Sequence, residues 1–220
     1  MADFLLCYIT DRCSFPGDES SRRARLLEKI GEATACGIDY IQLREKDLSA
    51  RHLEALVHDA VQIVRRGESG KRRTHLLINS RVDVSLAVGA DGVNLRRDDL
   101  SPQEVKAILE RCSDRPAARR TEPIIGVSCH TPEEVARAAQ CGATFAVFGP
   151  VFGKKDAPEI PPAGIELLHR ACQNRIPVLA LGGITIENAR ECLQAGAAGV
   201  AAIRLFQENS IAHVIAALRS

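Results

Sequence analysis

Tryptophan is absent from this chain of 220 residues, methionine occurs once, tyrosine twice, and aromatic side chains make up 4%. So few rings leave little on which nucleic-acid bases could stack. Lysine and arginine (29) nearly balance aspartate and glutamate (28), giving a net charge of +1, which argues against a strongly basic phosphate-tracking surface. No apolar run reaches the roughly 18 residues that a membrane span needs. The start, Met1-Ala2-Asp3-Phe4-Leu5-Leu6, puts no basic stretch ahead of its apolar residues. A soluble, cytoplasmic protein without nucleic-acid or membrane partners is expected. No two of the eight cysteines have C-x-x-C spacing, which argues against a zinc or redox motif and for core thiols. Cys129, between Ser128 and His130, is the candidate reactive thiol.

What is present is a pattern built around Gly182-Gly183-Ile184-Thr185, which follows the apolar run Pro177 to Leu181 and precedes a helical pattern from Glu187. Paired glycines there either make a tight turn or expose backbone N–H groups near a helix start, where phosphate binds. A phrase combining helix end, glycine and short apolar strand recurs around Gly37, Gly89, Gly142 and Gly196, at intervals of 52, 53 and 54 residues. Four more apolar runs lie between, at Leu5 to Thr10, Leu76 to Asn79, Ile124 to Val127 and Val178 to Leu181. Helical stretches are expected at 20–36, 50–66, 80–88, 102–112, 132–141, 165–172, 187–195 and 210–219. Eight strands alternating with eight helices, on a fourfold period, predict an α/β fold: a single TIM (β/α)8 barrel spanning 1–220. A doubly wound sheet is the alternative, though it would not normally carry that period.

In such a barrel the chemistry lies on the loops that follow strands. The basic tract 65–73 and the polar stretch 113–122 run from helix to strand and belong to the opposite face. Strand two ends Gln42-Leu43-Arg44-Glu45-Lys46, where alternation sends Gln42, Arg44 and Lys46 to one side. Two cations with an amide suit a polyanion, unless Arg44 pairs instead with Glu45 or Asp47. Asn79 closes strand three, and Asn94 and Arg96 close strand four, followed by Asp98 and Asp99. One of these carboxylates is expected either to hold Mg2+ or to cap the helix at Pro102. Strand five ends at Ser128-Cys129-His130-Thr131, ahead of a capping box, Thr131 to Glu134. His130 is therefore either a general base at the mouth or part of a turn. Strand six leads into a long loop, 153–162, that carries Lys154 and Lys155 and is a candidate lid. Strand eight ends at Ile203-Arg204, beside Gly182 and Gly183 in a barrel. Six cations, glycine amides and one histidine at the mouth predict phosphorylated or diphosphorylated small-molecule substrates.

Seven phrases together resemble the thiamine phosphate synthase and TenI superfamily over essentially the whole chain. They are Tyr8 to Asp11, Ile41 to Lys46, Ile78-Asn79 with Arg81-Val82-Asp83, Ala90 to Val93, Gly126 to Ser128 with His130-Thr131, Gly149 to Phe152, and Gly182 to Thr185. The resemblance implies a transferase in thiamine biosynthesis that joins an aminopyrimidine diphosphate to a thiazole phosphate and releases diphosphate. By the same resemblance Gln42, Arg44, Lys46 and Asn79 hold the pyrimidine diphosphate and Asp99 binds magnesium. Ser128 contacts the diphosphate, and Gly183 and Ile203 hold the thiazole phosphate. Arg44, Lys46, Ser128 and His130 are the catalytic candidates. Asn94, Arg96, Lys154, Gly182 and Arg204 complete the expected substrate-binding set.

The chain also departs from the synthase pattern. Ser80 stands where that pattern has Asp, and Asn94-Leu95-Arg96-Arg97 where it has His-x-Gly-Gln. Lys154-Lys155-Asp156-Ala157 replaces Thr-x-Thr-Lys, and Arg204 replaces Ser. Two alternatives follow: a TenI-like thiazole tautomerase, a metal-free isomerase with His130 as base, and a non-catalytic binder of thiamine-pathway phosphates. Outer helices of barrels often pair, so a homodimer is the expected assembly.

Overall fold

The computed structural model describes residues 4–67, 73–112, 122–153 and 161–219. Eight parallel strands close into a barrel in sequence order: β1 (Leu5–Ile9), β2 (Tyr40–Leu43), β3 (His75–Asn79), β4 (Gly92–Leu95), β5 (Ile124–Cys129), β6 (Phe145–Phe148), β7 (Val178–Leu181) and β8 (Gly199–Ala202). Around it run α1 (Glu19–Ala35), α2 (Ala50–Gly67), α3 (Val82–Val88), α4 (Pro102–Cys112), α5 (Pro132–Gln140), α6 (Gly164–Cys172), α7 (Ala189–Gln194), α8 (Arg204–Gln207) and α9 (Ile211–Arg219). Among the described residues no helix is long and apolar enough to cross a membrane.

The fourfold period has a structural cause. Gly37, Gly89, Gly142 and Gly196 all take positive φ, between 67° and 98°, and so turn the chain out of a helix and into the next even-numbered strand. Just beyond the first three, a side chain ties the even strand to the odd strand before it. The amide of Leu6 donates to Asp39 Oδ2 at 2.8 Å, that of Leu76 to Asp91 Oδ2 at 2.9 Å, and that of Ile125 to Thr144 Oγ1 at 3.0 Å. In the fourth unit the equivalent residue is Ala198, which has no side-chain acceptor.

Alternation divides each strand between two cores. Cys7, Ile9, Leu77, Phe145, Val147, Leu179 and Ala201 fill the barrel interior. A larger layer, which includes Leu6, Tyr8, Ile41, Ile78 and Phe148, seals the strands against the helices. The rings of Tyr40 and Phe145 stack inside the barrel with centroids 4.9 Å apart.

The structure moves some expected boundaries. The third helix begins at Val82 rather than Ser80, because Ser80 has a φ of 59° and cannot continue a right-handed turn. The seventh begins at Ala189 rather than Glu187. Strand eight stops at Ala202, and Arg204 opens the four-residue helix α8.

Candidate active site

At the C-terminal ends of the strands the interior changes from apolar to polar along one arc. Gln42 Nε2 donates to Asn79 Oδ1 at 2.9 Å, and Asn79 Nδ2 to Ser80 Oγ at 3.1 Å. Asn94 Nδ2 donates to Ser128 Oγ at 3.0 Å. Strand alternation thus brings Gln42, Asn79, Asn94 and Ser128 to the mouth as one polar arc over β2 to β5. Val147, Leu181 and Ile203 belong to the apolar filling on the other side. Within the polar arc, the buried Oε1 of Gln42 and Oδ1 of Asn94 accept no hydrogen bond. A buried acceptor without a donor is costly to keep.

Arg44 is half-buried just past the end of β2, and among the described residues no carboxylate pairs with its guanidinium. The expected competitors, Glu45 and Asp47, are both taken by Arg12. Burial holds Arg44 below the usual arginine range; Asp11 and Glu45 oppose that shift, and Arg96 adds to it. A like charge close enough to add to that shift makes the surroundings of Arg44 favourable to an anion. Lys46 lies exposed two residues on.

Asp99 does not cap the helix at Pro102. Its Oδ2 accepts the Arg96 amide at 2.7 Å, and its Oδ1 lies 3.5 Å from Arg96 Nη2. It therefore closes a turn, while α4 is capped by Ser101 and Glu104, with the Ser101 amide donating to Glu104 Oε2 at 2.8 Å. Among the described residues no three His, Cys, Asp or Glu side chains cluster as a metal site. Magnesium usually takes one or two carboxylates, substrate phosphates and water. Asp99 is the carboxylate that such an ion would use; its side chain is 14% exposed and faces Arg96 through both oxygens.

His130 is exposed, and its Nδ1 faces the Gly149 carbonyl. A carbonyl only accepts, so Nδ1 carries the proton and Nε2 of the neutral ring keeps its lone pair. Its amide donates to Glu134 Oε2 at 2.7 Å, so the capping box is shifted by one residue: Glu134 returns to His130, while Thr131 Oγ1 accepts the Glu134 amide. Cys129 is not the reactive thiol expected. It is 1% exposed, and burial pushes its pKa up to about 12. It faces away from the mouth, where Ser128 takes the inward position.

Gly182 and Gly183 both hold positive φ, 98° and 64°. A Cβ on Gly182 would come within 2.6 Å of Pro150 Cβ, and one on Gly183 within 2.7 Å of the Gly153 carbonyl oxygen. The pair therefore lets loop seven pack under loop six. It does not stand at a helix start: Thr185 and Asn188 bind each other in a turn, with the Thr185 amide 2.8 Å from Asn188 Oδ1, before α7 begins. Ile203 lines the apolar side next to them. Lys154, Lys155 and most of the candidate lid lie outside the described residues.

Sequence reasoning passed over Arg12. It is 3% exposed and gathers three carboxylates, with Glu19 at 2.8 Å from Nε, Glu45 at 3.2 Å from Nη1 and Asp47 at 2.7 Å from Nη1. Outside the wall, between α4 and α5, a cleft of about 170 Å3 adjoins the mouth and shares Arg96, Asp99 and Ser128 with it.

Known proteins match this chain over most of its length. A family model described as thiamine monophosphate synthase matches residues 7–206. A thiamine-phosphate synthase from Roseiflexus sp. (strain RS-1) is 36% identical over 197 residues, 89% of this chain and 75% of that one. A putative thiamine-phosphate synthase from Geobacter sulfurreducens is 41% identical over 203 residues, 91% and 85% of the two chains. Among solved structures, thiamine phosphate pyrophosphorylase from Pyrococcus furiosus superposes with a TM-score of 0.76 at 31% identity, covering 98% of this chain and 94% of that one.

Proposed function

The chain belongs to the thiamine monophosphate synthase family, and we propose that its barrel mouth joins an aminopyrimidine diphosphate to a thiazole phosphate with release of diphosphate. The observation that carries this reading is the pair of buried, donorless oxygens, Gln42 Oε1 and Asn94 Oδ1. An amino-substituted ring supplies the N–H groups they lack. Its diphosphate then reaches the cationic rim.

In the reaction, the bond between the pyrimidine methylene carbon and the diphosphate oxygen breaks, and the electron pair leaves with the diphosphate. Arg44, Lys46 and Arg96 stabilise that departing charge, with Ser128 donating a hydrogen bond. Gln42 and Asn79 hold the ring whose methylene becomes cationic. The Gly182 and Gly183 amides and Arg204 hold the thiazole phosphate, so that the thiazole ring nitrogen faces the methylene and forms the new bond. Asp99 would hold magnesium, which would supply positive charge to offset the negative charge of the leaving diphosphate.

The test is to incubate purified protein with both substrates, with and without magnesium, and follow thiamine phosphate. Absence of product under both conditions overturns the reading. A second reading, the tautomerase, draws on His130: its Nδ1 proton is committed to Gly149, which leaves Nε2 as a base. Isomerisation of the thiazole carboxylate phosphate without coupling would favour it. Turnover of either kind excludes a silent binder.

A further inference from the structure

Glu45 and Asp47 alternate with Arg44 and Lys46 in the loop after β2. Four opposite charges in a row would ordinarily pair with one another, leaving no cation for a substrate. Here Arg12, from the loop after β1, intervenes. Its Nη1 and Nη2 hold Asp47 in a fork at 2.7 and 2.8 Å, its Nη1 reaches Glu45 Oε2 at 3.2 Å, and its backbone amide donates to the same oxygen at 3.0 Å. The hydroxyl of Thr10 donates to Glu45 Oε1 at 2.6 Å and accepts the Arg44 amide at 3.0 Å. Glu45 is thus fully engaged on the side of the loop away from the mouth, with its side chain 1% exposed.

We propose that Arg12 is a positioning residue for the diphosphate site: by drawing Glu45 and Asp47 to itself, it leaves the Arg44 guanidinium to the substrate anion. The proposal rests on the reading of the mouth as a diphosphate site. Arg12 acts through the charge it removes and not by touching the substrate. Loss of its guanidinium would leave a buried carboxylate without a cation, close enough to Arg44 to act on its charge.

The experiment is titration calorimetry with inorganic diphosphate on wild type, Arg44→Ala, Arg12→Met, Arg12→Lys and the double variant Arg12→Met/Glu45→Gln, alongside steady-state kinetics. Arg12→Met is expected to weaken diphosphate binding by about tenfold or more, the scale of one charged hydrogen bond. It should raise KM for the diphosphate substrate and leave KM for the phosphate substrate unchanged. The double variant removes the stranded carboxylate and is expected to return to within about threefold of wild type, a recovery that mere loop propping would not give. Arg12→Lys keeps a charge beside Glu45 but loses the fork on Asp47, and is expected to fall between wild type and Arg12→Met. Unchanged binding in Arg12→Met, or a double variant as weak as the single one, overturns the proposal. If Arg12→Met does not fold, an Arg12→Lys protein as weak as Arg44→Ala overturns it as well. Wild type that binds no diphosphate removes the diphosphate reading itself, an outcome distinct from either.

Discussion

The Ser80 amide donates to the Asn94 carbonyl across β3 and β4 at 2.9 Å, while Ser80 itself sits at a φ of 59°, alone among described non-glycine residues in the left-handed region. Aspartate and asparagine enter that region more readily than serine, because their side chains bond locally to the backbone. The backbone at this position therefore suits the carboxylate that the synthase pattern has there, although the residue is now a hydroxyl.

Ser80→Asp should accordingly keep or raise the melting temperature and supply a second carboxylate on the Asp99 side of the mouth. With two carboxylates rather than one, magnesium should bind more tightly, and diphosphate affinity should gain a steeper magnesium dependence. Calorimetry at several magnesium concentrations checks this. Equal slopes for wild type and variant would mean that the two positions do not share an ion.

Gln42→Met separates stability from binding. The change removes one hydrogen bond to Asn79 but also a buried acceptor without a donor, so the two effects nearly cancel and unfolding free energy should move by no more than about 1 kcal/mol. Against the aminopyrimidine diphosphate, kcat/KM should fall by about tenfold to a hundredfold, because the ring loses its acceptor. A large stability loss with unchanged kinetics would reverse the assignment and make Gln42 structural.

Much of the barrel was legible because its signals are local and repeated: positive-φ glycines at Gly37, Gly89, Gly142 and Gly196, and apolar alternation along each strand. The inward set Gln42, Asn79, Asn94 and Ser128 follows from the same alternation. What escaped depends on closure. Arg12 meets Glu45 and Asp47 only when loops one and two are brought side by side, and no periodicity in either loop marks that. The Ser101–Glu104 cap on α4 was readable from the run Ser101-Pro102-Gln103-Glu104, but Asp98 and Asp99 just before it offered a competing cap. Cys129 stood out as a reactive thiol because it lies between Ser128 and His130; alternation, applied one residue past Ser128, turns it away from the mouth.

Thiol labelling tests that last point. In native protein at pH 8, Cys13 and Cys112, both exposed, should react with iodoacetamide, whereas Cys129 should not, since burial pushes its pKa up to about 12 and leaves almost no thiolate. Peptide mass spectrometry reads the sites. Early modification of Cys129 would mean that loop five opens far more than the structure shows.

The Arg12 cluster also predicts an acid limb of stability. Hydrogen bonds from Arg12 hold the Asp47 carboxyl down at about 2. A depressed carboxylate contributes stability above its unfolded value near 4, and that contribution is lost as pH falls from about 4 through 2. Asp47 is more than half exposed, which makes the effect modest. Between pH 5 and pH 3 the urea midpoint should drop further in wild type than in Asp47→Asn. Identical drops would show that Asp47 carries none of the acid sensitivity.

His130 and Arg44 together decide between the two chemistries. Coupling of a diphosphate needs cations where the leaving group departs, so Arg44→Ala should cost about a hundredfold or more in kcat/KM. His130 holds its Nδ1 on the Gly149 carbonyl at an exposed position, outside the arc of Gln42, Asn79, Asn94 and Ser128. His130→Ala should therefore reduce coupling by less than about tenfold, below the range typical for loss of a general base. A tautomerase would show the reverse order, with proton exchange abolished in His130→Ala and nearly intact in Arg44→Ala. Measuring both variants in both assays makes the order itself the result: large loss at Arg44 with small loss at His130 supports transfer, and the opposite assigns the site to proton movement.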